Sequence, residues 1–308
     1  MLVQSVTDKT FYIMKGLEKP SSHSPAQSVF LPQNIPYMVE LMAFFQSDEK
    51  IFLLLQYANG GNLFDYIQNY IPSDHMDYQH NSIDQIFDDI SPNCDDPDNI
   101  EDMVLASQKL LLSVSKTLKE VKQIDELGTR EKAQIARQPF PVECIKQWAR
   151  ELLIAIESLH MKGVILRDLC RENILMGTNG ELLLSYFYQN EGIHSVLPDR
   201  VSQKAVENMF VAPDFPLTMK SDWWSYGVIL YELLTGYAFS TIHSASVFSY
   251  NDVLYPEEVD VPEDGTDLLR KLIEKNVVER FDVKQIKNHK FFQYTDWEDV
   301  RKSVAYLD

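Results

Sequence analysis

The sequence has 308 residues, of which 45% are hydrophobic and 24% charged, with a formal net charge of −18 and a pI near 4.8. This composition is typical of a globular chain with a substantial core, and the acidic balance argues against nucleic acid or an anionic membrane as a direct partner. No apolar run reaches the roughly 18 residues of a membrane-spanning helix, and no signal-peptide pattern is present. The three cysteines Cys94, Cys144 and Cys170 lack metal-ligand spacing, which favours free thiols in a reducing compartment.

The first 15 residues of the chain alternate between apolar and polar side chains. Residues 2–6 and 11–15, with a turn between them, predict a β-hairpin that ends at Lys15. Residues 38–45 and 51–57 predict two further apolar strands, and the Gly60-Gly61 pair predicts a turn into a helix.

The connection between the second and third strands carries four prolines. Proline inside a helix costs about 3 kcal/mol because it removes a hydrogen bond and clashes with the preceding turn. We therefore expect no stable helix between Gly16 and Tyr37, whose prolines are Pro20, Pro25, Pro32 and Pro36.

The segment at 73–102 differs in composition from the rest of the chain. It contains ten Asp and Glu residues and no Lys or Arg, so it contributes −10 of the net −18. Such a run cannot bury a core, and we predict a largely disordered insertion over residues 73–140 between folded parts at 1–72 and 141–308. Apolar residues at helical spacing predict a helix within it, at 104–127.

Val142–Met161 is predicted to be an amphipathic helix, because six apolar residues share one face: Ile145, Trp148, Leu152, Leu153, Ile156 and Leu159.

An apolar run after this helix ends in Leu166-Arg167-Asp168, and Asn173 follows five residues after Asp168. A short strand then leads to Tyr186-Phe187-Tyr188. Phosphoryl transfer requires a carboxylate near the attacking hydroxyl and oxygen ligands for magnesium. The stretch resembles the catalytic loop and metal-binding strand of protein kinases.

Further motifs narrow this resemblance. Ser221-Asp222-Trp223-Trp224 before an apolar helix, and the segment around Trp297, resemble the AGC branch of the kinases. The runs starting at Lys15, Ile35 and Leu184 are similar to the ribosomal protein S6 kinase-like proteins, whose N-terminal regions carry MIT and sometimes PX domains. The resemblance implies an α+β, bilobal protein-kinase-like fold with a small β-rich N-lobe and a mostly helical C-lobe. No Gly-rich loop precedes the first strands, so we expect an incomplete N-lobe and an N-terminally truncated sequence.

The resemblance assigns roles to individual residues. Lys15 matches the phosphate-pairing lysine, Asp168 the catalytic base, and Asn173 the second-metal ligand. Leu55 matches the gatekeeper, and the backbone of Gln56 and Ala58 is expected to contact adenine. Two structural roles are also implied: Asp222 hydrogen-bonds the catalytic-loop backbone, and Asp214 pairs with Arg280.

Three departures from the kinase pattern lie in the same site. Tyr186 stands where kinases have the metal-binding Asp, and a phenol with a pKa of about 10 is neutral at physiological pH. Cys170 replaces a phosphate-facing Lys, and Leu166 replaces the kinase His. In addition, no helical Glu is available to pair with Lys15. Losing the metal-held charge costs roughly 4 kcal/mol of transition-state stabilisation, or about a thousandfold in rate.

Two hypotheses about function follow from the sequence. In the first, the chain is a pseudokinase that binds a nucleotide or acts as a scaffold; in the second, it is a weakly active serine/threonine kinase that transfers the ATP γ-phosphate to protein. ATP is the implied cofactor in both, whereas Tyr186 argues against magnesium. The resemblance also implies protein partners and a cytoplasmic, endosome-associated location, with domains upstream of this segment contacting the endosomal membrane.

Overall fold

The computed structural model describes residues 1–18, 31–48, 50–68, 140–167, 169–186, 203–243 and 252–303. Asp168, the connection at 19–30 and the predicted insertion with its helix at 104–127 lie outside these ranges, so the expectations for them and the proposed domain boundaries stay predictions. Within the described ranges, no helix has the length and apolar character needed to cross a membrane.

The described chain contains two sheets and several helices. The strands are β1 (Leu2–Gln4), β2 (Phe11–Glu18), β3 (Leu41–Gln46), β4 (Lys50–Gln56), β5 (Ile174–Met176) and β6 (Leu182–Leu184). The α-helices are α1 (Leu63–Gln68), α2 (Val142–Met161), α3 (Gln203–Glu207), α4 (Met219–Thr235), α5 (Phe239–Ile242), α6 (Glu263–Leu272), α7 (Val283–Lys287) and α8 (Trp297–Lys302). Short 3-10 turns lie at Arg171–Asn173 and Lys290–Phe292.

The N-lobe is a four-stranded antiparallel sheet in the order β1-β2-β4-β3. The predicted hairpin is confirmed, and the register of β2 and β4 places Lys15 opposite Leu53, which is fully buried. This register directs the Lys15 side chain to the same face of the sheet as the buried leucine.

The prediction that β3 starts at Met38 was wrong, because the strand begins at Leu41. Tyr37 has a positive φ of 56°, which turns the chain just before this point, and a bulge separates Leu41 from Ala43. Met38 instead pairs with Leu184 of β6 in an isolated parallel bridge. The segment therefore joins the second sheet before it enters the first.

Residues 31–40, which we call the strap, form an irregular segment between the N-lobe sheet and the C-lobe, with a turn and positive φ values at Asn34 and Tyr37. Val39 N–H donates to the Leu184 carbonyl at 2.9 Å, and Leu184 N–H donates to the Tyr37 carbonyl at 2.8 Å. The Tyr37 hydroxyl donates to the carbonyl of Val300 in α8 at 2.6 Å. No helix forms in the strap, as expected for a stretch that contains Pro32 and Pro36.

The C-lobe is built around α2 and α4. The predicted bounds of α2 are confirmed, and the six apolar residues assigned to its inner face are all buried. Helix α4 begins with a capping box between Thr218 and Ser221 and ends at Gly236, whose φ of 72° is accessible to glycine at little cost. The Tyr226 hydroxyl on α4 donates to the Ala149 carbonyl on α2 at 3.0 Å. The predicted α+β architecture, with a small sheet beside a mostly helical lobe, is confirmed.

Gly227 is expected to be essential for the packing of α4 against α6. A Cβ at this position would lie 2.7 Å from Leu272 Cβ and 3.0 Å from Ile273 Cγ1, so Gly227→Ala should lower the free energy of unfolding by about 1–3 kcal/mol. The matched control is Gly265→Ala on α6, where the nearest side-chain atom would be 3.3 Å away, on Leu234. Urea unfolding should show a loss for the first variant and little change for the second; equal effects would contradict this packing.

Candidate nucleotide and catalytic site

The segment that resembles a kinase hinge follows directly from β4. The Leu55 side chain is 3% exposed, and Gln56 is bound to the strap, because its N–H donates to the Glu40 carbonyl at 2.9 Å and its side-chain oxygen accepts from Glu40 N–H at 3.2 Å. Ala58 N–H donates to no group in the described part of the chain. Its backbone therefore retains the donor that an adenine ring can use.

The hinge is fixed to the C-lobe by a close approach of two backbones. Gly60 N–H donates to the Met176 carbonyl at 3.0 Å, and Met176 N–H donates to the Gly61 carbonyl at 2.9 Å. A Cβ on Gly60 would lie 2.7 Å from the Met176 oxygen, so no side chain fits there. Asn62 then caps α1 through Phe64 N–H at 2.9 Å.

A buried carboxylate holds the catalytic loop in place. Asp222 is fully buried, and its two oxygens accept from Leu166 N–H at 2.9 Å and Arg167 N–H at 2.8 Å. Arg167 has a φ of 61°, a conformation that these contacts stabilise. The His160 ring also contacts Asp222, with Nε2 2.7 Å from Oδ2.

Sequence reasoning assigned no role to His160. The available signal was its position at the end of α2, six residues before Leu166, together with the tryptophan pair after Asp222. The His160 ring lies edge-on to Trp223, with centroids 5.3 Å apart.

Lys15 reaches the strand that follows the catalytic loop. Its ammonium group donates to the backbone carbonyl of Tyr186 at 2.7 Å, so it contacts the residue at the position where the resemblance predicts the kinase metal ligand. The Tyr186 side chain is 1% exposed, and its hydroxyl donates to the carbonyl of Pro32 in the strap. Burial raises the pKa of Tyr186 to about 12, which keeps the phenol neutral at physiological pH.

Asn173 lies at the end of the catalytic loop beside Cys170. Its side-chain amide donates to Cys170 Sγ at 3.2 Å, and its backbone carbonyl accepts from Ser185 N–H at 2.8 Å. The structure thus describes Lys15 and Asn173 of the three predicted catalytic residues. Among the described residues, no group of three or more His, Cys, Asp or Glu side chains is arranged to hold a metal ion. Of the residues that the resemblance assigns to metal binding, the structure describes Asn173, whose side-chain amide donates to Cys170.

Asp214 and Arg280 form a buried ion pair. Arg280 donates to Asp214 Oδ1 at 2.8 Å and is fully buried over the Trp224 ring, 5.4 Å from its centroid. Ser221 Oγ donates to Asp214 Oδ2 at 2.8 Å. The pair ties the segment before α4 to the loop before α7, so this part of the C-lobe keeps the arrangement that the resemblance implies.

A second buried acid was not singled out from the sequence. Glu232 on α4 accepts from the Arg171 guanidinium at 3.0 Å and from Phe239 N–H at 2.9 Å. Burial raises the pKa of Glu232 to about 7, although the positive charge of Arg171 acts to lower it. The only available signal was a lone carboxylate in an otherwise apolar stretch of helix.

Comparison with known proteins assigns the chain to a family. The family model described as "Protein kinase domain" matches residues 109–292, more than half of the 308 residues. The chain belongs to the protein kinase family. The α+β fold described above is therefore a bilobal kinase fold, and its relatives are serine/threonine kinases of the AGC, S6-kinase type.

Three relatives illustrate the similarity. Human ribosomal protein S6 kinase delta-1 is 34% identical over 193 residues, which cover 60% of this chain and 18% of that protein. Mouse ribosomal protein S6 kinase-like 1 is 26% identical over an alignment of 385 residues, covering 96% of this chain and 69% of that protein. Saccharomyces cerevisiae cAMP-dependent protein kinase type 3 is 35% identical over 175 residues, which cover 53% of this chain and 43% of that protein. The chain spans only about a fifth of the delta-1 kinase.

Glu151 should make stability depend on pH. It accepts from Leu182 N–H in β6 at 2.7 Å, and burial raises its pKa from 4.5 to about 7. Because the folded state holds this proton more tightly than the unfolded state, its stabilising effect is complete below about pH 4.5 and is lost as the pH rises through about 7. Glu151→Gln keeps the acceptor but does not titrate.

The test is urea unfolding of wild type and Glu151→Gln at pH 5.5 and 7.5. The free energy of unfolding of wild type relative to the variant should fall by roughly 1–2 kcal/mol between these pH values. Subtracting the variant removes the titration of Glu232, which has the same direction. A difference that stays constant with pH would show that Glu151 titrates normally.

Proposed function

We propose that this chain is a pseudokinase, a domain with the serine/threonine kinase fold that binds an adenine nucleoside or nucleotide, or a protein partner, without significant phosphoryl transfer. The observation that carries the proposal is the 2.7 Å hydrogen bond from the Lys15 ammonium group to the Tyr186 carbonyl. In an active kinase the corresponding lysine pairs with the nucleotide phosphates. Here the same group is directed toward the backbone of the residue that replaces the metal ligand.

The second support is the chemistry of Tyr186 itself. A magnesium ion that bridges nucleotide phosphates needs hard anionic oxygen ligands. The Tyr186 phenol is buried, is bonded to the Pro32 carbonyl and has a pKa near 12, so it supplies neither charge nor an accessible oxygen. Asn173 donates to Cys170, a weak acceptor in place of a phosphate-facing lysine. The described residues therefore favour binding without magnesium.

The third support is the hinge, which keeps the backbone and apolar groups that an adenine ring needs, whereas the side chains that would bind phosphates and metal are changed. Leu55 is buried, Ala58 keeps a backbone donor, and the Gly60 contact with Met176 holds the segment against the C-lobe. An adenine ring needs backbone groups and an apolar surface, and neither depends on the lost side chains. We therefore expect the adenine moiety to contribute most of any nucleotide affinity.

The alternative proposal is a weakly active serine/threonine kinase that transfers the ATP γ-phosphate to protein. It is supported by the residue types at Lys15, Asp168 and Asn173, which match the kinase pattern, and by the buried Asp222 that orients the loop before Asp168. Activity would require Lys15 to leave Tyr186 when the nucleotide binds. A metal would also need a ligand other than Tyr186.

Partners and location are further parts of the proposal. The net charge of −18 disfavours nucleic acid and anionic membranes as direct ligands, which leaves proteins as the expected partners. The resemblance to the S6 kinase-like proteins supports a cytoplasmic location with endosomal association through domains outside this segment.

The proposal predicts nucleotide binding that does not depend on magnesium. A ligand at about 100 times its dissociation constant should stabilise the fold by roughly 2.7 kcal/mol. Thermal unfolding should therefore shift upward with adenosine at least as much as with ATP, because the triphosphate adds negative charge while the Lys15 ammonium group is bonded to the Tyr186 carbonyl. Adding magnesium should change neither shift.

The control variant is Lys15→Met. It should leave the adenosine shift unchanged, because the adenine contacts come from the hinge backbone. An ATP shift that requires magnesium and exceeds the adenosine shift would overturn the pseudokinase proposal and favour the weakly active kinase. The absence of any shift would overturn nucleotide binding and leave only the scaffold.

A further inference from the structure

A cavity on the C-lobe, away from the kinase site, has an unusual distribution of charge. It has a volume of about 360 Å³ and lies where the beginning of α2, the beginning of α6 and the turn at 290–294 meet. Its lining is mainly polar, with three cationic side chains and two acidic ones: Lys146, Arg150, Lys290, Glu143 and Asp264, joined by Phe291, Gln293 and Tyr294.

Arg150 is the decisive residue in this cavity. Its Nε is buried and has no hydrogen-bond partner among the residues that the structure describes. A guanidinium presents five donors in a rigid fork, and a buried donor without an acceptor is unfavourable, so such groups are normally satisfied. Arg280, by contrast, donates from Nε to the Glu274 carbonyl at 2.9 Å and from its other nitrogens to Asp214. Arg167 in the catalytic loop shares the feature of Arg150, since its Nε is also buried without a partner among the described residues, but it does not line this cavity.

The two lysines add positive charge beside this guanidinium. Lys146 lies four residues before Arg150 on α2, a spacing that places like charges on neighbouring turns and is unfavourable without a counter-anion. The Lys146 ammonium group is held over the Phe291 ring, 5.1 Å from its centroid, and is only 19% exposed. Lys290, at the start of the neighbouring turn, is exposed at the rim.

The acidic residues neutralise this charge only in part. Asp264 Oδ2 lies 3.6 Å from the Lys146 nitrogen and Glu143 Oε1 lies 3.9 Å from it, both beyond hydrogen-bond distance. The Glu143 side chain is 80% exposed and free to turn into solvent. Neither acid is bonded to Arg150 within the described part of the chain. The positive charge of this guanidinium acts there on the neighbouring Glu151, where it opposes the rise in pKa that burial causes.

We propose that this cavity is a binding site for a phosphate monoester, with Arg150 as the bidentate ligand and Lys146 and Lys290 as flanking cations. A planar guanidinium matches two oxygens of a phosphate, and phosphate is compact enough to leave room for the group that carries it. The amide of Gln293 and the hydroxyl of Tyr294, which is 95% exposed, lie at the rim where that carrier would emerge. The site does not involve the nucleotide cleft and is independent of the function proposed above.

The test follows the Arg150 Nε–H resonance by NMR in the ¹⁵N-labelled chain during titration with inorganic phosphate, at constant ionic strength with chloride as the exchanged anion. The signal is assigned by its loss in Arg150→Lys. We expect a saturable shift of this resonance, while the Arg280 Nε–H resonance, whose donor is already bonded, stays in place. Parallel titrations with N-acetyl-phosphoserine amide and N-acetyl-serine amide identify the carrier.

Variants separate the site from general screening. Arg150→Lys retains the charge but not the fork, and should weaken phosphate binding about tenfold, followed through the backbone amide of Gln293. Lys290→Gln should weaken it less, and the exposed Lys284→Gln on α7 should have no effect.

The outcomes distinguish the possibilities. Stronger binding of the phosphoserine compound than of phosphate supports the site and indicates a peptide as the carrier; equal binding supports the site for the phosphate group alone. The proposal is overturned if chloride or the serine compound produces the same shift, or if Arg150→Lys binds as tightly as wild type in a fold shown to be unchanged by circular dichroism.

Discussion

The proposed pseudokinase function depends on the hydrogen bond between the Lys15 ammonium group and the Tyr186 carbonyl. It connects the N-lobe sheet to the strand after the catalytic loop, at the point where a kinase would bind phosphates and metal. A charged donor bound to a backbone carbonyl is a strong, localised contact. On the proposed function, a nucleotide phosphate would have to replace that contact without a carboxylate at position 186, and the adenine ring would supply most of the affinity.

The strap makes this arrangement persistent. It is bonded to β6 through Tyr37 and Val39, to α8 through the Tyr37 hydroxyl, and to Tyr186 through the Pro32 carbonyl. The residue that replaces the metal ligand is thereby buried under a segment that also joins the lobes. Substrate-driven closure in enzymes requires lobes that move relative to one another. The backbone contacts of the strap therefore support the proposed role as a binding module.

The sequence predicted the parts of the molecule that depend on pattern. The helical period fixed α2, and the Asp-Trp-Trp-Ser motif led to the buried Asp222. The contacts of the strap could not be predicted, because they use backbone carbonyls such as that of Pro32, which any residue supplies, and because a positive φ at Tyr37 has no sequence signal. The Arg150 cavity could not be predicted from the sequence either, because its lining comes from three elements that are distant in the chain.

The central claim is that a tyrosine at position 186 prevents phosphoryl transfer at this site. Its most direct test is a single-turnover assay with γ-labelled ATP, magnesium and a generic basic protein substrate, comparing wild type with Asp168→Asn. We expect identical background incorporation in both, because neither has a metal ligand at 186. Incorporation by wild type that requires magnesium and disappears in Asp168→Asn would contradict the account and identify the chain as an active kinase.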